Sequence, residues 1–169
     1  PLLQAQWKVL EPHDQRRDLP TGGQRAVKTI QPGDDWPQDH KFRWMIHEIE
    51  IPEKIDGRSV RGRPVGLQFN CGDGGAVYVE GELRSRYDND HPALVILAEN
   101  AEPGRKVHVQ VQVYGVIQGG DKFDEATLVL LDPNRVIRPL QLSINPRRTT
   151  GPVPDGLIGL SQGAGLVDY

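Results

Sequence analysis

The sequence predicts an all-β protein, an antiparallel β-sandwich with irregular segments at both ends. Short segments rich in Val, Ile and Leu show a period of two, which is typical of strands with one buried face. The 19 glycines and 14 prolines are spread along the chain and lie between these segments, where turns are expected. Because no segment shows a 3.6-residue apolar period with capping residues, we expect little helix.

The first predicted strand follows a long N-terminal segment. Residues 1–40 hold several Pro and Gly, and we expect an irregular segment that packs on the sandwich. The sandwich itself is expected at 41–145. Its first strand is predicted at 41–51 (KFRWMIHEIEI), where a bulge near His47 would reconcile two apolar patterns of opposite parity.

A second strand and a hairpin are predicted next. Residues 65–70 (VGLQFN) alternate apolar with other residues, and the glycines that follow suit a turn with positive φ. Residues 76–80 (AVYVE) lead into Gly81, which predicts a tight turn of hairpin type before Leu83. We expect residues 82–91 to form a loop.

The later strands are predicted from apolar runs. Residues 93–98 (ALVILA) are continuously apolar, which is typical of a strand covered on both faces. Residues 107–114 (VHVQVQVY) place four valines on one face and polar residues with Tyr114 on the other, so one side should be buried. Further strands are predicted at 127–131 and 139–144. Residues 146–169 are rich in Pro and Gly, and we expect an irregular C-terminal segment or linker.

Size and charge exclude several classes of function. The 169 residues suffice for one domain with its own core. The net charge of −3 gives no field that would recruit nucleic acid or an anionic membrane surface. No apolar run approaches the roughly 20 residues that cross a bilayer. We therefore expect neither nucleic acid nor a membrane as a partner.

The start of the chain and its cysteine content bear on the compartment. No charged and apolar leader is present at Pro1, which leaves the compartment open, with a secreted or periplasmic location slightly favoured over a cytoplasmic one. The single cysteine, Cys71, allows no disulfide within the chain and no four-cysteine zinc site. Stability should therefore come from packing.

Several short motifs occur in a fixed order between residues 42 and 104. They are Phe42-Arg43-Trp44, Ile51-Pro52, Gly57, 65–69 (VGLQF), 73–81 (DGGAVYVEG), Asp90-His91 and Glu102-Pro103-Gly104. In this order they resemble the jelly-roll domain that precedes the catalytic domain in class II α-mannosidases. More loosely, they are similar to the sugar-binding jelly rolls of β-galactosidases and β-glucuronidases.

The resemblance implies a fold and a context. It covers a little over a third of the chain and implies a jelly roll of galactose-binding-like type. The zinc ligands and carboxylate nucleophile of the α-mannosidases lie in a later domain, so no catalytic residue is implied here. We expect a non-catalytic accessory module of an α-mannosidase-like glycoside hydrolase, which supports an adjacent catalytic domain or carbohydrate recognition. The alternatives are a free-standing carbohydrate-binding module and a structural protein-interaction domain.

Carbohydrate recognition would use exposed aromatic rings against sugar faces, with carboxylates and amides for the hydroxyls. Trp7, Trp36, Tyr87 and Tyr114 lie outside the strand positions that we expect to be buried. The candidate carbohydrate-binding residues are Trp36, Tyr87, Asp88, Asp90, His91 and Tyr114. For Trp36 the alternative is that its ring pins the N-terminal segment to the sheet.

Calcium is the one cofactor for which the sequence offers candidate ligands. Asp73, Asp88 and Asp90 supply hard oxygen ligands, which makes them candidates for a structural calcium site. The alternative is that these residues form plain turns. The five histidines contain no H-x-H or H-x-x-x-H pair, so we expect no zinc site.

No catalytic residue is predicted. Glu48 and Glu50 share a strand face, and the favoured interpretation is a solvated face rather than a pair that cleaves a glycosidic bond. A lone cysteine after a core strand, as at Cys71, is usually packed and inert. A small hydrolase that uses Glu48 or Asp90 is the alternative from the enzyme class.

Overall fold

The computed structural model describes residues 6–15, 18–20, 24–116 and 122–132. Eleven strands and no helix form in this part of the chain, and the strands that pair are antiparallel. In chain order the strands are β1 (Trp7–Leu10), β2 (Ala26–Ile30), β3 (Phe42–Glu50), β4 (Lys54–Ile55), β5 (Arg58–Ser59), β6 (Val65–Asn70), β7 (Gly74–Val79), β8 (Glu82–Asp88), β9 (Ala93–Ala98), β10 (Lys106–Tyr114) and β11 (Glu125–Leu130).

The strands form two main sheets that share one core. The larger sheet has the order β2-β1-β3-β10-β7-β8, the smaller has the order β11-β6-β9, and β4 pairs with β5 alone. Inward side chains of both main sheets belong to one buried apolar cluster. The predicted all-β antiparallel sandwich is confirmed.

The core is built from one face of each strand. The four valines of β10 at positions 107, 109, 111 and 113 are fully buried, as their alternation predicts. They share the cluster with Leu67, Phe69 and Val95 from the smaller sheet. Three aromatic rings pack together within this cluster, where the centroid of Phe69 lies 5.2 Å from that of Trp7 and 5.3 Å from that of Phe123.

Three local predictions are confirmed, two of single strands and one of a hairpin. β6 and β9 coincide with the predicted segments 65–70 and 93–98. The hairpin at Gly81 also forms, since Val79 pairs with Glu82 across a two-residue turn. Glu80 and Gly81 in this turn have φ of 52° and 81°, the left-handed pair that a tight hairpin requires.

The N-terminal segment is more regular than its composition predicts. β1 and β2 lie within residues 1–40 and extend the larger sheet beyond β3, so the sandwich includes chain well before residue 41. Trp7 and Val9 are fully buried. Burial of these two side chains explains why a strand of only four residues holds its place.

The predicted loop at 82–91 is also corrected. Residues 82–88 form β8, the edge strand of the larger sheet, and its pairing with β7 shifts register once, between Val77 and Tyr78. The sequence hides this strand because most of its side chains are polar and exposed. Such a charged edge strand resists pairing with other chains.

The bulge predicted near His47 is wrong. β3 pairs with β10 without a shift, from Phe42 opposite Tyr114 to Glu50 opposite Lys106. The apolar residues of β3 change parity because both faces of this strand are covered. Met45 packs in the core, while Trp44 is buried on the outward face of the sheet.

Part of the segment between β1 and β2 covers that outward face. The side-chain amide of Gln110 donates to the Pro20 carbonyl at 3.4 Å, which places residue 20 over β10. Gln110 and Gln112 are both buried, so the polar side of β10 is less exposed than predicted.

Two predictions concern residues outside the part of the chain that the structure describes. The strand predicted at 139–144 and the segment at 146–169 lie outside the described residues. Among the residues that are described, the chain forms no helix with the length and apolar character needed to span a bilayer.

Candidate functional site

Side chains on the outward face of the larger sheet lie in rows across the strands. One row consists of Phe42, Tyr114, Gly74 and Asp88, and the next of Trp44, Gln112, Ala76 and Arg86. In both rows β7 contributes only a hydrogen or a methyl group. The outward surface of the sheet is therefore recessed at residues 74–76 of β7 and raised by the larger side chains of β10 and β8 on either side.

A hollow of about 350 Å³ lies over this low strip, and we call it the β7 groove. Residues 74–76 form its floor. Phe42, Gln112 and Tyr114 line it on the side of β10, and Arg86 lines it on the side of β8. Asp73 and Val116 lie at the end of the groove, where β7 begins and the chain leaves β10.

The wall of the groove at β10 is aromatic. The ring centroids of Phe42 and Tyr114 are 4.6 Å apart, with planes inclined by 30°, and both residues are half-buried. The Tyr114 hydroxyl lies 3.4 Å from Nδ1 of His40. A partly exposed aromatic pair of this kind offers an apolar surface with a polar edge.

The floor of the groove depends on glycine at position 75. A Cβ atom at Gly75 would lie 2.1 Å from the Gln112 carbonyl oxygen, so only glycine allows β7 and β10 to pair so closely here. A carboxylate oxygen of Asp73 accepts a very short hydrogen bond from the Val116 amide. That bond ties the turn before β7 to the residues after β10 and holds the closed end of the groove.

The structure brings together only some of the predicted carbohydrate-binding residues. Tyr114 and the largely buried Tyr87 line the β7 groove, as does Asp73 from the predicted calcium set. Phe42, Arg86 and Gln112 were not predicted as site residues. The alternation of β10 places Gln112 and Tyr114 on one face. Phe42 joins them because β3 pairs with β10, and Arg86 joins them because β8 pairs with β7. Neither pairing can be inferred from a single segment of the sequence.

Trp36 and Tyr87 are buried, so the expectation that both rings are exposed is wrong. Trp36 is 2% exposed and Tyr87 is 7% exposed. The Tyr87 hydroxyl donates to the Cys71 carbonyl at 2.9 Å, and burial raises its pKa well above the usual value for tyrosine. Trp36 instead fits the alternative, since its ring joins the core cluster and packs near Lys28 and Arg43.

Asp88, Asp90 and His91 form a turn beside the groove. Oδ1 of Asp88 accepts hydrogen bonds from the amides of Asp90 and His91 at 3.0 and 2.9 Å, and it lies 2.8 Å from Nδ1 of His91. The side-chain hydrogen bond between Asp88 and His91 lowers the pKa of the carboxyl and raises the pKa of the imidazole. These contacts hold the connection between β8 and β9.

Asp88 and Asp90 share a turn, but the three carboxylates predicted for calcium are not arranged as one ligand group. In the part of the chain that the structure describes, no group of three or more His, Cys, Asp or Glu side chains is arranged to hold a metal ion. Asp73 accepts the Val116 amide, and Asp88 accepts the amides of its own turn. Asp73, Asp88 and Asp90 therefore do not form a shared ligand set.

The groups considered for catalysis lie in environments that disfavour reactivity. Glu48 is paired with Lys106, Oε1 to Nζ 2.8 Å, and the hydrogen bond from Lys106 lowers the pKa of this carboxyl. The paired carboxylate stays ionised and is a poor general acid. Cys71 is fully buried, and burial raises the pKa of its thiol well above the usual value. Such a thiol is a poor nucleophile.

Comparison with known proteins finds likeness in structure only. No family model matches the chain, and neither does any curated protein. A glycosyl hydrolase family 2 member from Bacteroides cellulosilyticus DSM 14838 superposes with a TM-score of 0.53 at 12% identity, over 79% of this chain and 21% of that one. The chain shares its fold with part of that glycoside hydrolase.

Two further matches have lower TM-scores. A β-glucuronidase from Ruminococcus gnavus, in complex with D-glucaro-d-lactam, gives a TM-score of 0.47 at 16% identity over 68% of this chain. Ruminococcus gnavus β-glucuronidase gives 0.45 at 19% identity, again over 68%. The chain spans only about a fifth of the length of all three proteins, with shares of 21%, 21% and 20%.

Proposed function

We propose that this chain is a non-catalytic accessory β-sandwich of a glycoside hydrolase and that it recognises carbohydrate in the β7 groove. The observation that carries the proposal is the groove itself, with the half-buried rings of Phe42 and Tyr114 on one side and Arg86 on the other. It lies on a fold that recurs as about a fifth (21%) of a glycosyl hydrolase family 2 member.

The chemistry of the groove suits a sugar. The aromatic wall would take the apolar face of a pyranose ring, and Arg86 and Asp73, which line the same groove, would supply polar partners for ring hydroxyls. A volume of about 350 Å³ is at the low end for small-molecule sites, which favours a short sugar segment over a large ligand.

The proposed partner is the catalytic domain of the same enzyme. Glycosidic cleavage requires two carboxyl groups that flank one bond, and we assign that pair to the remainder of the enzyme. The resemblance of residues 42–104 to class II α-mannosidases makes an enzyme of that type our more specific proposal. None of the three structural matches above is named as an α-mannosidase, so this choice depends on the sequence motifs.

Titration of the chain with methyl mannosides and methyl galactosides, followed by isothermal calorimetry or by NMR, tests the proposal. We expect saturable binding that Tyr114→Ala weakens about five-fold, because one aromatic contact is lost. Leu83→Ala is the control, since Leu83 is an exposed apolar residue of β8 that does not line the groove. Absence of binding to neutral and acidic methyl glycosides alike, or equal affinity in the Tyr114 variant, would refute the proposal.

The hydrolase alternative is tested separately with aryl glycosides. We expect the chain to release no aryl alcohol above the uncatalysed rate. Turnover that disappears in Glu48→Gln or Asp90→Asn would show that the chain is itself an enzyme and would contradict the non-catalytic assignment.

A further inference from the structure

The charged side chains around the β7 groove are mostly engaged within the protein. Asp73 accepts the Val116 amide at the closed end, and Asp88 accepts the donors of its own turn. Arg84, the preceding basic residue of β8, forms an ion pair with Glu82, Nη2 to Oε2 2.7 Å. These groups have charge partners or donors already.

Arg86 differs from them. It lines the groove and is exposed, and within the described ranges its guanidinium forms no ion pair and no hydrogen bond. Arg86 pairs across the sheet with Ala76, so the small floor residue lies between Arg86 and Gln112. The aromatic pair lies in the neighbouring row, opposite Gly74. A long cation thus lines the groove diagonally across from the aromatic pair, over a part of β7 that carries only a hydrogen or a methyl group.

This arrangement selects a class of ligand. A guanidinium presents a planar fork of donors that matches a carboxylate better than it matches single hydroxyls. We infer that the sugar bound in the β7 groove carries a carboxylate, with its ring against Phe42 and Tyr114 and its carboxylate on Arg86. The inference rests on the proposed function, because it specifies the ligand of the same groove.

Two sugars that differ at one carbon provide the test. Methyl α-D-galacturonide has a carboxylate at C6, where methyl α-D-galactoside has a hydroxymethyl group. We expect the full 169-residue chain to bind the galacturonide about five-fold more tightly at low salt, as one exposed ion pair allows. Added salt should reduce this preference, because the pair is exposed to solvent.

Variants of β8 separate the contribution of Arg86 from that of general positive charge. Arg86→Gln should bind the two sugars equally, whereas Arg84→Gln, which removes a charge outside the groove, should keep the preference. Tyr114→Ala should weaken both sugars alike. This pattern would support both the groove and its carboxylate contact.

The two proposals fail in different ways. Equal affinity of the wild-type chain for both sugars, tighter binding of the galactoside, or a preference that survives in Arg86→Gln would overturn the carboxylate inference and leave carbohydrate recognition standing. Absence of binding to these sugars and to the mannosides would overturn the proposed function and the inference with it.

Discussion

Arg43 is a charged side chain held almost entirely inside the protein, at 7% exposure. Its two terminal nitrogens bond both carboxylate oxygens of Asp39, one of them at 2.7 Å. The guanidinium carbon also lies 6.0 Å from the centroid of Trp36. A buried cation needs a charged partner, and Asp39 supplies it. These contacts of Arg43 hold the segment before β3 against the first residues of β3.

Asp39→Asn should lower the free energy of unfolding by about 1 to 2 kcal/mol at neutral pH, because Arg43 loses its charged partner. The side-chain hydrogen bond from Arg43 lowers the pKa of Asp39 in the folded chain. The stabilisation is therefore complete above the ordinary aspartate pKa of about 4 and is lost as pH falls through the lowered value. Urea unfolding of both proteins should show a difference that narrows in acid.

Asp14→Asn is the matched control for that experiment. The Asp14 carboxylate pairs with Lys41 at 3.4 Å but is 83% exposed, so its loss should change stability by less than about 0.5 kcal/mol. If Asp39→Asn destabilised the chain no more than Asp14→Asn, or by an amount independent of pH, the assigned role of the Asp39–Arg43 pair would be wrong.

Tyr87→Phe should destabilise the chain by about 1 kcal/mol, since it removes the hydroxyl that donates to the buried Cys71 carbonyl. Burial raises the pKa of the Tyr87 phenol, so folding favours its neutral form. The associated stability is present below the ordinary tyrosine pKa of about 10 and is lost as pH rises through the raised value. Absorbance titration should therefore show tyrosine ionisation in the folded chain that is delayed to higher pH relative to the unfolded chain, and an unchanged delay in Tyr87→Phe would contradict the assignment.

The site residues that the sequence predicts differ in how well local patterns describe them. Tyr114 is assigned correctly to an outward face because it belongs to a long alternating strand. Tyr87 is misplaced because Arg84, Ser85 and Arg86 before it look like a loop, while its ring turns inward from an edge strand and packs on Phe69. Burial of a single aromatic residue depends on strand parity, and a polar segment does not reveal parity.

At the scale of elements, a strand is predicted correctly where its own apolar residues repeat. It is missed where it forms only because it pairs with a strand distant in the sequence. β6 and β9 have enough apolar residues to be recognised alone. β1 and β2 are short, and they are strands because β3 supplies an edge and the core accepts Trp7. Non-local pairing of this kind leaves no periodic pattern in four or five residues.

Gly75→Ala should disrupt the pairing of β7 with β10. The added Cβ would lie 2.1 Å from the Gln112 carbonyl oxygen, an overlap that the strands can relieve only by moving apart. We expect a loss of about 3 kcal/mol or more in the free energy of unfolding, at the upper end of overpacking effects. Thermal or urea unfolding measures it.

Gly104→Ala serves as the control for this substitution. Gly104 has a φ of 83°, but a Cβ atom there would meet nothing within 4 Å, so only the left-handed backbone is penalised. That penalty is about 1 to 2 kcal/mol. A Gly75 variant no less stable than the Gly104 variant would show that β7 and β10 can separate without consequence.

The described part of the chain is a sandwich whose larger sheet combines segments that are far apart in the sequence. β1 and β2 come first in the sequence, yet they lie beside β3, which pairs in turn with β10. The outward face that carries the β7 groove is likewise assembled from β3, β7, β8 and β10. A groove built from four separate segments could not be located from any one of them, which is why the sequence indicates its residues only in part.

A chain that begins at Lys41, the first residue of the sandwich that the sequence predicts, should not fold cooperatively. It lacks β1, which pairs with β3, and β2, which pairs with β1, and it loses Trp7, Val9 and Ile30 from the core. Loss of a buried tryptophan alone removes about 3 to 5 kcal/mol, which approaches the whole stability of a small domain. A chain that begins at Gln6 keeps both strands and should unfold in one transition. Near-ultraviolet circular dichroism and urea unfolding distinguish them, and native-like cooperative unfolding of the shorter chain would show that β1 and β2 are dispensable for the sandwich.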